Sequence, residues 1–131
     1  MQIDFSAAFD RVNPQGILNR LCSVGIGGSV LSIFTHVLPI RPQHVIVDGC
    51  WSKLVDIVSG VPQGSGLGPL LFLLYTSEHF SILENKLISY ADDPNLMAVM
   101  PPPGVRVIVT ESLVRDLLRD GEWCDLWGMK M

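Results

Sequence analysis

Charge is what this sequence has least of. Charged residues fill 17% of its 131 positions against 48% hydrophobic ones, and only nine of them are Lys or Arg. The hydrophobic share excludes a disordered tail. The net charge of −4 excludes the basic face with which a general nucleic-acid binder grips phosphates, although an acidic, metal-dependent site is compatible with it. A surface this short of charge also suggests neighbours that cover part of it. Cysteine is equally scarce. Cys22, Cys50 and Cys124 are odd in number, far apart and without CxxC spacing, which excludes a disulfide framework or a zinc site and fits a reducing intracellular setting, cytoplasmic or nuclear. His36, His44 and His79 show no ligand spacing either and read as solvated or core side chains.

Other absences narrow the class further. There is no internal repeat and no low-complexity tract. Asp4 and Asp10 interrupt what would be the basic and apolar parts of a signal peptide. Two charge-free runs, Leu21 to Ile40 and Ile57 to Ser77, are each about long enough to span a bilayer. Glycine and serine break both, and Pro62 and Pro69 break the second. A small membrane protein is therefore the lesser alternative, and no membrane partner is expected.

The elements that are present alternate. Ile3 to Phe5 reads as a short strand with Asp4 at its centre, so close to Met1 that an upstream part is expected. Asn13-Pro14 pairs a helix N-cap with proline at the first helical position, Gly25 is a stop, and Ile17, Leu18, Leu21 and Val24 supply one apolar face. A second short helix, beginning near Ser29 and limited by Pro39, would bury Val30, Ile33, Phe34, Val37 and Leu38. His44 to Val47 and Lys53 to Val58 read as strands of a hairpin around Asp48-Gly49. A glycine-rich loop, Ser59 to Gly68, precedes a buried helix whose Leu70, Leu73, Leu74 and Phe80 recur at helical spacing under a sheet. A final helix from Val107 to Cys124 follows the breaker Pro101 to Gly104. Its expected inward stripe is Leu113, Val114, Leu117 and Leu118, with Glu111 and Arg115 paired outside and Gly121 a weak point. The fold class is α+β with a mainly antiparallel sheet.

Chemistry concentrates in Ile88-Ser89-Tyr90-Ala91-Asp92-Asp93. The residues on either side are strand-like, so the two acids fall at the bend of a hairpin. Neighbouring carboxylates repel, and a divalent cation relieves the repulsion. Mg²⁺ favours one or two carboxylates completed by substrate phosphates, which points to phosphoryl or nucleotidyl transfer. An exposed acidic turn is the plain alternative. Gly64-Ser65-Gly66-Leu67-Gly68 is not a dinucleotide cradle, because Pro69 stands where the third glycine is needed and no lysine completes a P-loop.

In chain order, Asp4-Phe5-Ser6-Ala7-Ala8-Phe9-Asp10-Arg11-Val12, Ser59-Gly60-Val61-Pro62-Gln63-Gly64-Ser65-Gly66-Leu67-Gly68-Pro69 and Tyr90-Ala91-Asp92-Asp93 resemble the first three palm motifs of the reverse transcriptase domain of non-LTR retrotransposons. Trp123 to Lys130 resembles the start of the fourth. The resemblance implies an antiparallel palm-type sheet packed on helices and an RNA-directed DNA polymerase acting through two Mg²⁺ ions, with Mn²⁺ a possible substitute. Asp4, Asp92 and Asp93 would be the catalytic, metal-holding acids. Phe9 would be the steric gate against a ribose 2′-hydroxyl, Gln63 and Gly64 would meet nucleotide and template, and Tyr90 would lie along the primer end. RNA template, DNA primer and deoxynucleoside triphosphates are the implied partners.

Three departures accompany the resemblance. Pro94 removes an N–H from the returning strand, Gly66 replaces a bulkier apolar residue, and Lys130 stands too near Gly128 to match the fourth motif's lysine. Residues 1–131 are accordingly expected to be part of a reverse transcriptase domain, a palm core without its full fingers, fourth-motif lysine or thumb. Such a chain would require the remainder of the polymerase and would be inactive by itself. A non-catalytic retroelement relic is the alternative.

Overall fold

The computed structural model describes residues 2–39, 41–90, 93–98 and 106–130, without the side chains of 106–109. Expectations that fall on Ala91, Asp92 and the 101–104 breaker lie outside the described residues. Helices α1 (Ala8–Arg11), α2 (Pro14–Ser23) and α3 (Gly28–Val37) come first, followed by strands β1 (Arg41–Gln43), β2 (Ile46–Val47), β3 (Cys50–Trp51) and β4 (Val55–Ile57). Helices α4 (Gly68–Thr76) and α5 (His79–Ile82), strands β5 (Lys86–Tyr90) and β6 (Asp93–Met97), and the long helix α6 (Arg106–Trp127) complete the order. The described strands form three antiparallel two-stranded ladders, β1 with β4, β2 with β3 and β5 with β6, so the architecture is α+β with small antiparallel sheets.

Helix α2 begins as its sequence dictates. Asn13 Oδ1 accepts the Gln15 N–H at 2.9 Å, Pro14 occupies the first turn, and Ile17, Leu18 and Leu21 are buried. Val24 falls past the helix end and is exposed. The hairpin of the middle third turns at Asp48 and Gly49, both at positive φ (50° and 77°), as an Asp-Gly turn requires. Its strands are shorter than expected. Ser52 interrupts the ladder by accepting the Val45 N–H on its hydroxyl (2.8 Å) while donating its own N–H to Val45 O (2.9 Å).

Three expected apolar faces are corrected. In α3 only the cap residue Leu38 is buried and Phe34 is partly buried, while Val30, Ile33 and Val37 face solvent. In α4 the buried residues are Gly68, Leu71, Phe72, Tyr75 and Thr76, while Leu70 and Leu73 are exposed. This helix is apolar nearly all round, so spacing alone cannot select its inward side. Packing against α2 does: a Cβ on Gly16 would lie 2.6 Å from the Tyr75 ring. In α6, Leu113 packs against the core as expected, but Val114, Leu117 and Leu118 are exposed, and among the described side chains the buried ones are Asp116, Asp120, Trp123 and Cys124. Arg115 turns to Glu84 (3.2 Å) rather than forming the expected pair with Glu111. The helix also runs unbroken through Gly121. The core joins both ends of the chain, Ile3, Phe5 and Val12 meeting Leu96 and Trp123. Among the described residues no helix is long and apolar enough to cross a membrane.

Candidate active site

The acidic hairpin forms, with Tyr90 opposite Asp93, Ser89 opposite Pro94 and Ile88 opposite Asn95, so that Asp93 opens β6 rather than lying in the bend. A third segment joins it at the chain start: Gln2 bridges Asn95 in antiparallel fashion, and the Ile3 N–H donates to Pro94 O at 2.9 Å. Continuing that register by two residues sets Asp4 opposite Asp93. Burial agrees, since Ile3, Phe5, Pro94 and Leu96 are buried while Asp4, Asp93 and Asn95 are exposed. In a pleated strand, alternate side chains share a face. Asp4, Asp93 and Tyr90, which is 87% exposed, therefore lie on the solvent face of one three-segment unit. Asp92 lies outside the described residues. Among those described, no three His, Cys, Asp or Glu side chains gather as a metal site.

Pro94 is accommodated by position. Its pairing with Ser89 falls at a site that needs no proline N–H, so the ladder to β5 is intact. The missing donor faces the Ile3 side, where only the Ile3 N–H to Pro94 O bond remains of the usual reciprocal pair.

The first two motifs are stitched together. The Gly60 N–H donates to Val12 O (2.7 Å) and the Val61 N–H to Phe9 O (2.9 Å). Gly60, at φ +80°, lies so close that a Cβ would sit 2.8 Å from both Asp10 Cα and Phe9 O. Arg41, a residue not singled out from the sequence, holds the same turn by donating to Ser59 O (2.8 Å), Gly60 O (2.9 Å) and Leu38 O (3.0 Å). Gln63 Nε2 donates to Asp10 Oδ1 at 2.7 Å. Gly64, at φ +73°, turns the loop. A Cβ on Gly66 would meet nothing within 4 Å, so a bulkier residue there would have room. Phe9 is partly buried and stacks on Phe72 with ring centroids 4.6 Å apart. It nonetheless lines a cavity of about 530 Å³ with Gln63, Gly64 and Pro69. A second cavity, about 550 Å³, lies on the other side of Gln63 against Asp10, Arg41 and Gln43.

Behind these motifs α6 supplies buried polar anchors that its sequence pattern conceals. Asp116 has no exposed surface and accepts the N–H groups of Glu84 and Asn85 at 2.8 Å each. Burial raises its pKa, but these bonds, the Asn85 side chain and nearby Arg119 outweigh that and hold it below the ordinary value. Glu84 is likewise held low by its hydrogen bond to Arg115. Asp120 meets His79 in a fully buried pair, and Trp123 stacks on the His79 ring at 4.6 Å. Tyr75 donates its hydroxyl to Trp127 O, and burial raises its pKa. Beyond α6, Lys130 O accepts the Ser6 N–H at 2.7 Å, which brings the fourth motif's backbone beside the first. The one sequence signal for these anchors is the i, i+4 spacing of Asp116 and Asp120 within an otherwise ordinary charged helix.

One exposed acid, Asp93, stands on the β5–β6 hairpin and another, Asp4, on the segment bridged to it, while the glycine-rich turn is bonded to the segment that carries Phe9. The chain belongs to the family Reverse transcriptase (RNA-dependent DNA polymerase), which it matches over residues 1–129. It is 30% identical to the RNA-directed DNA polymerase from mobile element jockey of Drosophila funebris, over 98% of this chain and 14% of that protein. The Drosophila melanogaster jockey enzyme matches at the same identity and coverage. A probable RNA-directed DNA polymerase from transposon BS, also of Drosophila melanogaster, is 28% identical over 98% of this chain and 15% of its own length. These are polymerases of non-LTR retrotransposons, and the chain spans about one seventh of their length.

Proposed function

We propose that these residues form the catalytic portion of a palm-type RNA-directed DNA polymerase, which adds a deoxynucleotide to a primer 3′-hydroxyl on an RNA template. What supports this most is the bridge from Gln2 to Asn95 with the Ile3 N–H on Pro94 O, whose register, carried on by two residues, would bring the exposed Asp4 towards the exposed Asp93. Carboxylate oxygens on a solvent-facing, rigid pair of strands suit hard divalent cations. Asp4, Asp92 and Asp93 would hold two Mg²⁺ ions, or Mn²⁺ in their place, which when bound activate the attacking hydroxyl and stabilise the leaving pyrophosphate.

The chain's own side chains do the positioning. Tyr90, flanking the acids, supports the primer end. The Phe9 ring, steadied by Phe72, lies where a 2′-hydroxyl would collide. Gln63 and Gly64 border the same cavity and face nucleotide and template. The grip on phosphates is weak, because several cations are already engaged. Arg20 pairs with Glu78, Arg41 with three carbonyls, and Arg115 and Arg119 with Glu84. Phosphate contacts dominate nucleic-acid affinity, so the remainder of a polymerase would have to supply them.

The test is a Mn²⁺ titration followed by electron paramagnetic resonance. The unmodified chain should bind the ion, and the Asp92→Asn, Asp93→Asn double variant should lose that binding while keeping its circular dichroism. Equal Mn²⁺ binding by both would refute the metal-site reading.

A further inference from the structure

We infer that Asp10 is a positioning residue that sets the polarity of Gln63, so that Gln63 accepts a hydrogen bond from a donor on the template. The inference deepens the function proposed above and rests on its assignment of Gln63 to the nucleic acid. An ionised carboxylate only accepts, so the amide that meets Asp10 Oδ1 at 2.7 Å must present its Nε2 there. Its Oε1 then points away from Asp10, and among the described residues no donor meets it. An unconstrained surface glutamine can turn its amide over and offer either group. With Asp10 beside it, this one offers a carbonyl. Gln63 also lines both cavities, with Asp10 on the 550 Å³ one and the preceding residue, Phe9, on the 530 Å³ one. The backbone bonds from Gly60 and Val61 to Val12 and Phe9 fix the distance between the two loops, so the pair is held in register by the fold.

What Oε1 can recognise follows from nucleic-acid chemistry. The 2-amino group of guanine is the donor that bases display in the minor groove, and the 2′-hydroxyl is the donor that distinguishes RNA from DNA. Both are neutral donors, and substitution tells them apart.

The experiment measures fluorescence anisotropy of a jockey polymerase in which this chain replaces the matched segment, with labelled primer–template duplexes in EDTA. The first unpaired template residue is riboguanosine, riboinosine, which lacks the 2-amino group, or deoxyguanosine, which lacks the 2′-hydroxyl. One of the two replacements should weaken binding roughly three- to tenfold, the scale of one hydrogen bond. Asp10→Ala should reduce that preference, because Gln63 can then offer either end of its amide, while leaving the circular dichroism unchanged, since Asp10 is exposed. Gln63→Glu sets two carboxylates against each other and should remove it. The double variant Asp10→Asn, Gln63→Glu reverses the hydrogen bond, keeps an outward acceptor and should restore the preference. That restoration is something a merely structural contact would not produce. A chimera that binds none of the duplexes although the jockey polymerase binds them, that treats all three alike, or that keeps its full preference in Asp10→Ala overturns the inference. Because no metal is present, failure of the carboxylate metal site leaves this measurement untouched, and the Mn²⁺ titration reports on that site separately.

Discussion

Asp116 holds Asn85 twice: the same Oδ2 accepts the Asn85 backbone N–H at 2.8 Å and its side-chain Nδ2 at 2.7 Å. The residue after Asn85 begins β5, so a buried carboxylate on α6 roots the hairpin that carries Tyr90 and Asp93. Asp116→Ala would leave the N–H groups of Glu84 and Asn85 without an acceptor, at an expected cost of about 2–4 kcal/mol. The urea midpoint at neutral pH measures it. The folded pKa of Asp116 is depressed below 3.8, its ordinary value. Its stabilisation is therefore full above that pH and lost as pH falls through the folded value. Asp116→Asn should flatten the acid limb of the stability profile below about pH 4, and an unchanged limb would assign acid unfolding to other groups.

Gly60→Ala should separate the first two motifs. The backbone sits at φ +80° and the new methyl would lie 2.8 Å from main-chain atoms of Phe9 and Asp10, which no rotamer change can relieve. Strain and overpacking together predict a loss of about 2–4 kcal/mol. Gly66→Leu, placed in open space by the same measure, should cost little. Thermal denaturation of the two variants side by side tests the contrast.

The three cysteines should react unequally. Cys22 and Cys50 are exposed and Cys124 is buried. Burial, with Asp120 and Asp125 nearby, pushes the Cys124 thiol up to about 12, and the thiolate is the reactive form. Labelling with a thiol reagent at pH 8 should modify two residues rapidly and the third only in denaturant. Rapid labelling of Cys124 in the folded chain would contradict the packing of α6.

Phe9→Val should relax sugar discrimination. Placed in the matched segment of the jockey polymerase, this chain with Phe9→Val should incorporate ribonucleotides more readily relative to deoxyribonucleotides than the unmodified chimera. The stacking on Phe72 predicts some loss of stability as well. If sugar preference is unchanged while stability falls, Phe9 serves the core alone.

The 131-residue chain by itself should not extend a primer. Catalysis of this kind is mostly positioning, and an ångström of misalignment can cost on the order of 100-fold. With Arg20, Arg41, Arg115 and Arg119, four of the nine Lys and Arg residues, engaged internally, the hold on a triphosphate is weakened. Extension assays with Mg²⁺ or Mn²⁺ should match the Asp92→Asn, Asp93→Asn control. Template-dependent extension that the control lacks would show that this portion suffices.

The sequence by itself determined the local devices and the family: the Asn13-Pro14 helix start, the Asp48-Gly49 turn, the hairpin flanking Asp92-Asp93 and the motifs around Asp4 and Gln63. Each depends on backbone preferences or spacing confined to a few residues. Only the tertiary structure decided which side of α3, α4 and α6 turns inward, because apolar residues occur on several sides of those helices and contact with α2, α5 and the chain start selects among them. It also decided that Asp116 and Asp120 are buried. A carboxylate enters a core only when specific donors meet it there, and those donors, Glu84, Asn85 and His79, lie more than thirty residues away in the chain.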